Sequence, residues 1–129
     1  MTEKNIVNEW INFSLDDLNS AKILIKEKKG NYNIPLFHIH QSIEKLLKGA
    51  LLYHNLSFPY VHDIEMLLNL LIKKIKDIEN FRDFILEVNY LYPKIRYPIG
   101  LEIDKSKAEQ LLKLSQKFFI LISSSLKRD

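Results

Sequence analysis

The chain has 129 residues, 47% of them hydrophobic, and no cysteine. This length sets one domain around one core, and the missing cysteine excludes disulfides and thiolate metal sites. A net charge of +3 permits a nucleotide or RNA ligand but falls short of the basic footprint of an electrostatic DNA binder.

At the N-terminus, MTEKNIVNEW holds no apolar run behind a basic segment, so no signal peptide is expected. The longest apolar runs, such as FFILI, are too short to span a bilayer. The expectation is a cytoplasmic protein that does not enter membranes.

The first helix is predicted from about Asn5 to Lys28. Trp10, Phe13, Ala21 and Leu24 define its stripe, with Ser14 and Asp17 in the middle. A carboxylate there either reaches water at the stripe's edge or is a buried acid paired with an arginine, and Arg96 is the expected partner. Lysines up to Lys29, followed by Gly30, supply a stop signal.

Asn33-Ile34-Pro35 opens the second helix, which runs to about His54. Leu36, Ile39, Ile43, Leu46, Leu47 and Ala50 recur at three- and four-residue steps and form one apolar stripe. His38, Gln41, Ser42, Lys45 and Lys48 occupy the other side, with His40 and Glu44 on the border. Gly49 either permits a close helix crossing or is simply tolerated.

Tyr60-Val61-His62-Asp63 leads into a third helix, with Met66, Leu67, Leu70 and Leu71 as its apolar face and Lys73, Lys74 and Lys76 in its last turn. Phe81, Phe84, Ile85, Val88, Leu91 and Tyr92 fall in helical register until Pro93 stops or kinks the helix. Lys94 to Ile103 reads as an ordered loop, and Asp104 as the N-cap of the last helix. That helix carries Ala108, Leu111, Leu112, Ser115, Phe119 and Ile122 as its stripe. Phe118 to Ile122 are apolar on every side of one turn, so a dimer contact through Phe118 and Leu121 is expected. The fold class is an all-α up-and-down bundle of about five helices in a single domain spanning residues 1–129.

Four stretches in this order resemble the HEPN domain family, the "higher eukaryotes and prokaryotes nucleotide-binding" domain. They are Asp17-Leu18-Asn19-Ser20-Ala21, the helix from Phe37 to Lys48 with its Gln41 and Glu44-Lys45, His62-Asp63-Ile64, and Arg96-Tyr97-Pro98. The resemblance implies a helical bundle that commonly dimerises, binds nucleotide or RNA, or accompanies a small nucleotidyltransferase, including in toxin–antitoxin pairs. It also implies, for the RNase branch, a metal-independent site built from an arginine followed four to six residues later by a histidine.

At those distances Arg96 is followed by Gly100, Leu101 and Glu102, and Arg82 by Leu86, Glu87 and Val88. No histidine lies beyond His62. The RNase motif is absent, so no catalytic residue is assigned. Arg96 and Tyr97 are the first candidates for a ligand, because a guanidinium grips phosphate and a tyrosine ring stacks on a base. Equally, Arg96 could neutralise Asp17 or Glu44, with Tyr97 in the core. Lys48, Gln41 and Glu44 join the candidate cleft, with Asp17, His40 and His62 as bracing or alternative catalytic groups.

His38, His40, Glu44 and His62 lack a recognised metal spacing, so no metal or other cofactor is assigned. No glycine-rich phosphate loop and no serine elbow are present. The leading expectation is a homodimeric nucleotide- or RNA-binding companion of a nucleotidyltransferase. The alternatives are a divergent endoribonuclease using Arg96 with His40 or His62, and a helical interaction protein without ligand.

Overall fold

The computed structural model describes residues 3–27, 31–96 and 103–126, with side chains from residue 5 onward. Tyr97, Pro98, Gly100 and Gly30 lie outside the described residues. Five α-helices follow one another: α1 (Glu3–Glu27), α2 (Asn33–Tyr53), α3 (Ile64–Asn69), α4 (Arg82–Ile95) and α5 (Lys105–Ser125), with a 3₁₀ turn at Ile78–Phe81. No strand occurs among the described residues, and none of their helices is long and apolar enough to cross a membrane. The all-helical bundle expected from the sequence is the fold observed.

Helix α2 is the centre of the bundle and packs on α1, α3, α4 and α5. Leu36, Ile39, Ile43, Leu46, Leu47 and Ala50 are all buried, as their spacing predicts. Each large aliphatic side chain among them contributes on the order of 1.5–3 kcal/mol by leaving water. Polar residues beside this stripe are covered as well. Ser42 and Lys48 are buried where α1 packs on α2, and Glu44 is buried beside them. Ser42 is accommodated by Ser14, whose Oγ donates to the Ser42 carbonyl at 2.7 Å and stands 3.0 Å from its hydroxyl.

The close fit of α1 on α2 requires Gly49. A Cβ there would stand 3.0 Å from Trp10 Cβ and 3.2 Å from Ile11 Cδ1. Of the two readings of this glycine, the close crossing is the one observed.

On α1 the buried stripe is Val7, Ile11, Ser14, Leu18, Ala21 and Ile25. This corrects the stripe drawn through Trp10, Phe13, Ala21 and Leu24. Phe13 is 55% exposed, and Trp10 and Leu24 are half-buried. Large rings draw attention in the sequence, but the alternating four- and three-residue steps of the smaller side chains match the α2 seam.

Asp63 and Asp104 are true N-caps, accepting from the backbone N–H of Met66 at 3.2 Å and Lys107 at 2.8 Å. Helix α3 ends at Asn69, before the lysines assigned to its last turn. Its buried face is Ile64, Leu67 and Leu68, while Met66 and Leu70 are exposed. Helix α4 runs two residues past Pro93, which sits in its last turn and so removes only one helical hydrogen bond. Lys94 and Ile95 are therefore helical rather than part of a loop.

The apolar turn of α5 is also corrected. Phe118 is fully buried against Phe81 and Phe84, with ring centroids 5.2 and 6.2 Å away, so it offers no surface to a second copy. Ile122, one turn on, shares its buried face, whereas Phe119 and Leu121 are half-buried and Ile120 is 63% exposed.

Candidate functional site

Helix α2 sends two rows of polar side chains toward its neighbours. In the first row, four-residue spacing aligns His40, Glu44 and Lys48. Lys48 Nζ donates to Glu44 Oε2 at 2.9 Å. The lysine's charge lies about 6 Å from the ring centres of Trp10 and Phe58. The other carboxylate oxygen, Glu44 Oε1, accepts from His62 Nδ1 at 2.8 Å. That bond fixes the His62 proton on Nδ1 and leaves Nε2 to face outward from a ring 63% exposed.

His62 is itself held by the fold. Its carbonyl accepts from His40 Nε2 at 2.9 Å. The next residue, Asp63, caps α3, and Asn89 of α4 accepts from the Ile64 N–H and donates to Asp63, both at 3.1 Å. His40 therefore carries its proton on Nε2, and its Nδ1 is approached by the Gln41 amide at 3.4 Å. Tyr92 of α4 stacks on His40 with centroids 3.6 Å apart and 19° between planes. The same tyrosine ring has His62 at 5.7 Å and the Arg96 guanidinium at 5.5 Å.

The electrostatics follow from burial and partners. Burial pushes the His40 imidazole down to about 4, outweighing the Glu44 charge and the His62 carbonyl, which act the other way. His40 is thus a neutral spacer. Burial acts to raise the Glu44 carboxyl, but hydrogen bonds from His62 and Lys48, with the lysine's charge, hold it below its ordinary value.

The second row meets α1. Asp17 accepts from Lys45 at 2.6 Å and from His38 Nδ1 at 2.9 Å. Asp17 is a partly buried acid with an ammonium and an imidazole as partners, as a carboxylate on that stripe requires, but they come from α2 and not from Arg96. The expected Asp17–Arg96 pair is replaced because α1 and α2 lie side by side along this row.

The fold therefore brings Gln41, Glu44, Lys48, His40 and His62 into one cluster and sets Arg96 beside it across Tyr92. Asp17 belongs to a separate cluster, and Tyr97 lies outside the described residues. Glu44 and Lys48 sit below the surface and face each other, so the groups open to a ligand are His62 and Arg96. Among the described residues, no three histidine, aspartate or glutamate side chains form a metal-holding set. Sequence reasoning missed Tyr92 as the shared platform, since it reads only as one more apolar position of α4. It also missed Asn89, for which the sequence carries no signal.

This bundle and its order of elements define a known class. The model of the HEPN domain matches residues 7–125, and the chain belongs to that family. The fold is similar to the crystal structure of TT1696 from Thermus thermophilus, with a TM-score of 0.79 at 22% identity over 93% of this chain and 98% of that one. It is also similar to ST0689, an archaeal HEPN homologue, with a TM-score of 0.73 at 17% identity over 94% and 98% of the two chains. No curated protein matches the chain.

Proposed function

We propose that this HEPN-fold chain binds a nucleotide or RNA at the ledge formed by His62, Tyr92 and Arg96. We further propose that it works in the cytoplasm as a homodimeric companion of a small nucleotidyltransferase, in a toxin–antitoxin-type pair. The observation that carries the ligand reading is the convergence of an exposed imidazole and an exposed guanidinium on one tyrosine ring. A guanidinium grips phosphate with paired N–H donors. The His62 ring can stack or donate, and it is aimed by a buried carboxylate rather than left to rotate. Glu44 and Lys48 act beneath as braces. With Phe118 inside the core, the α5 surface offered to a second copy is the side carrying Ile120 and Leu121.

One observation favours a second reading, a divergent endoribonuclease. Glu44 accepts from His62 Nδ1–H and so fixes the ring, which is how a general base is oriented. In that reading His62 Nε2 takes the proton of a ribose 2′-hydroxyl as its oxygen attacks the adjacent phosphorus. The P–O5′ bond breaks and the 5′-oxygen leaves as an alcohol with a proton from water, a 2′,3′-cyclic phosphate forms, and Arg96 balances the phosphate charge.

Incubation with labelled single-stranded RNA separates the two. Binding without cleavage is expected of the protein alone, because no imidazole follows Arg96 within the next helical turn. Cleavage lost in both Arg96→Ala and His62→Ala puts the enzyme first. Neither cleavage nor binding leaves an interaction protein without ligand.

A further inference from the structure

A groove of about 610 Å³ runs between the second half of α1 and the first half of α5, away from the His62 ledge. Lys22 and Lys26 line it from α1, and Lys105 and Lys113 from α5, against one carboxylate among the described residues, Glu109. All four lysines are exposed, and among the described residues none is paired with an acid. Lys45, Lys48 and Lys107, by contrast, are each paired with an acid, Asp17, Glu44 and Glu87 in turn.

At a rise of about 1.5 Å per residue, Lys22 and Lys26 stand about 6 Å apart along one wall, and Lys105 and Lys113 about 12 Å apart along the other. Two facing rows of free ammonium groups repel each other unless a polyanion lies between them. The remaining lining is Ile25 and Leu112, with Ser106, Gln110 and Gln116 as neutral hydrogen-bonding groups. Among the described residues no aromatic side chain lines the groove, and none there offers a platform on which a base could stack.

We infer that this α1–α5 groove is a second binding site, which holds the sugar–phosphate backbone of an RNA strand without reading its sequence. Linear phosphate charge fits two lysine rows better than a compact anion does, and the amides and hydroxyl can reach sugar oxygens. The inference takes its ligand class from the proposed function but rests on different residues, so the two fail separately.

The test is anisotropy titration of a labelled oligouridylate and a labelled mixed-sequence RNA of equal length over a range of salt. The wild type is compared with the triple variant Lys22→Gln, Lys26→Gln, Lys113→Gln and with the control Lys73→Gln, Lys74→Gln. Circular dichroism establishes that each is folded, which is expected for exposed lysines. The triple variant should lose at least about tenfold in affinity for both RNAs, and its log–log salt slope should be shallower by about 2, near 0.7 per phosphate contact. The control should match the wild type, and ATP affinity should be unaffected by the triple change. RNA held through these lysines, with no binding of ATP and no loss of RNA affinity in Arg96→Ala, supports the groove and counts against the Arg96 ledge. Wild-type affinity and slope in the triple variant would overturn the inference. So would a folded wild type that binds polyglutamate but not RNA.

Discussion

Glu44 and His62 meet at 2.8 Å although 18 residues separate them in the chain, and only the glutamate is buried. Lys48 on the other carboxylate oxygen makes the trio a charge-balanced strut between α2 and the start of α3. The strut aims the exposed ring, so its integrity is the first thing to test.

Removing one member of a buried ion pair leaves the other uncompensated, at about 3–5 kcal/mol. Lys48→Met and Glu44→Gln should each lower unfolding stability on that scale in urea titrations. The double variant should cost clearly less than the two added together, because the members of the pair are coupled. Strict additivity would show that the pair does not act as a unit.

Stability should fall on acidification before carboxylates titrate. The His40 imidazole is lowered from 6.5 to about 4, so between those values the unfolded chain binds a proton that the folded chain refuses. The contribution is present above 6.5 and is lost as pH falls toward 4, by up to about 3 kcal/mol. Glu44, also held low, adds a loss below the ordinary carboxylate range as pH falls through its folded value. Urea midpoints should drop from about pH 7.5 to about pH 5 in the wild type, and this slope should flatten in His40→Gln. An equal slope in both proteins would assign the effect elsewhere.

Gly49→Ala sets two effects against each other. Alanine gains about 1 kcal/mol of helix propensity over glycine. The new methyl meets Trp10 Cβ at 3.0 Å, an atom tied to the α1 backbone that cannot swing away. Overpacking of this kind costs about 1–3 kcal/mol, so a net loss is expected. A stabilised variant would mean that the α1–α2 crossing relaxes freely.

The two ends of the apolar α5 turn should behave differently. Phe118→Ala should cost about 3–5 kcal/mol of unfolding stability, as for any fully buried ring. Leu121→Glu should leave the fold intact and shift sedimentation from dimer toward monomer. A wild type that sediments as a monomer at high micromolar concentration rules the homodimer out.

The legible parts of this fold were those set by local chemistry. Asp104 declares its cap, and the α2 stripe follows from periodicity alone. What the sequence hides is context. The burial of Ser42 and Lys48 has no signal in the sequence, because nothing there shows that α1 will pack against them. Phe13 looks like core, yet it lies half in water with the Lys45 ammonium 5.9 Å from its ring. At the site, Glu44, His40 and His62 were recognisable as chemistry, but their convergence depends on α3 starting where Asn89 can brace it. The choice of Arg96 for Asp17 failed because Lys45 and His38, on the adjacent helix, reach that acid.

Binding of a nucleotide or RNA at the His62–Tyr92–Arg96 ledge stands or falls on calorimetric titration of the wild type and Arg96→Ala, with ATP and with a short oligoribonucleotide. Hydrogen bonds from a charged group are worth about 1.5–3 kcal/mol, so losing the guanidinium should weaken binding at least about tenfold. Unfolding stability should not change, since Arg96 is exposed. The expected result is saturable binding of at least one ligand by the wild type and that loss in the variant. No binding of either ligand, or equal affinity in both proteins, would refute the ledge as the binding site.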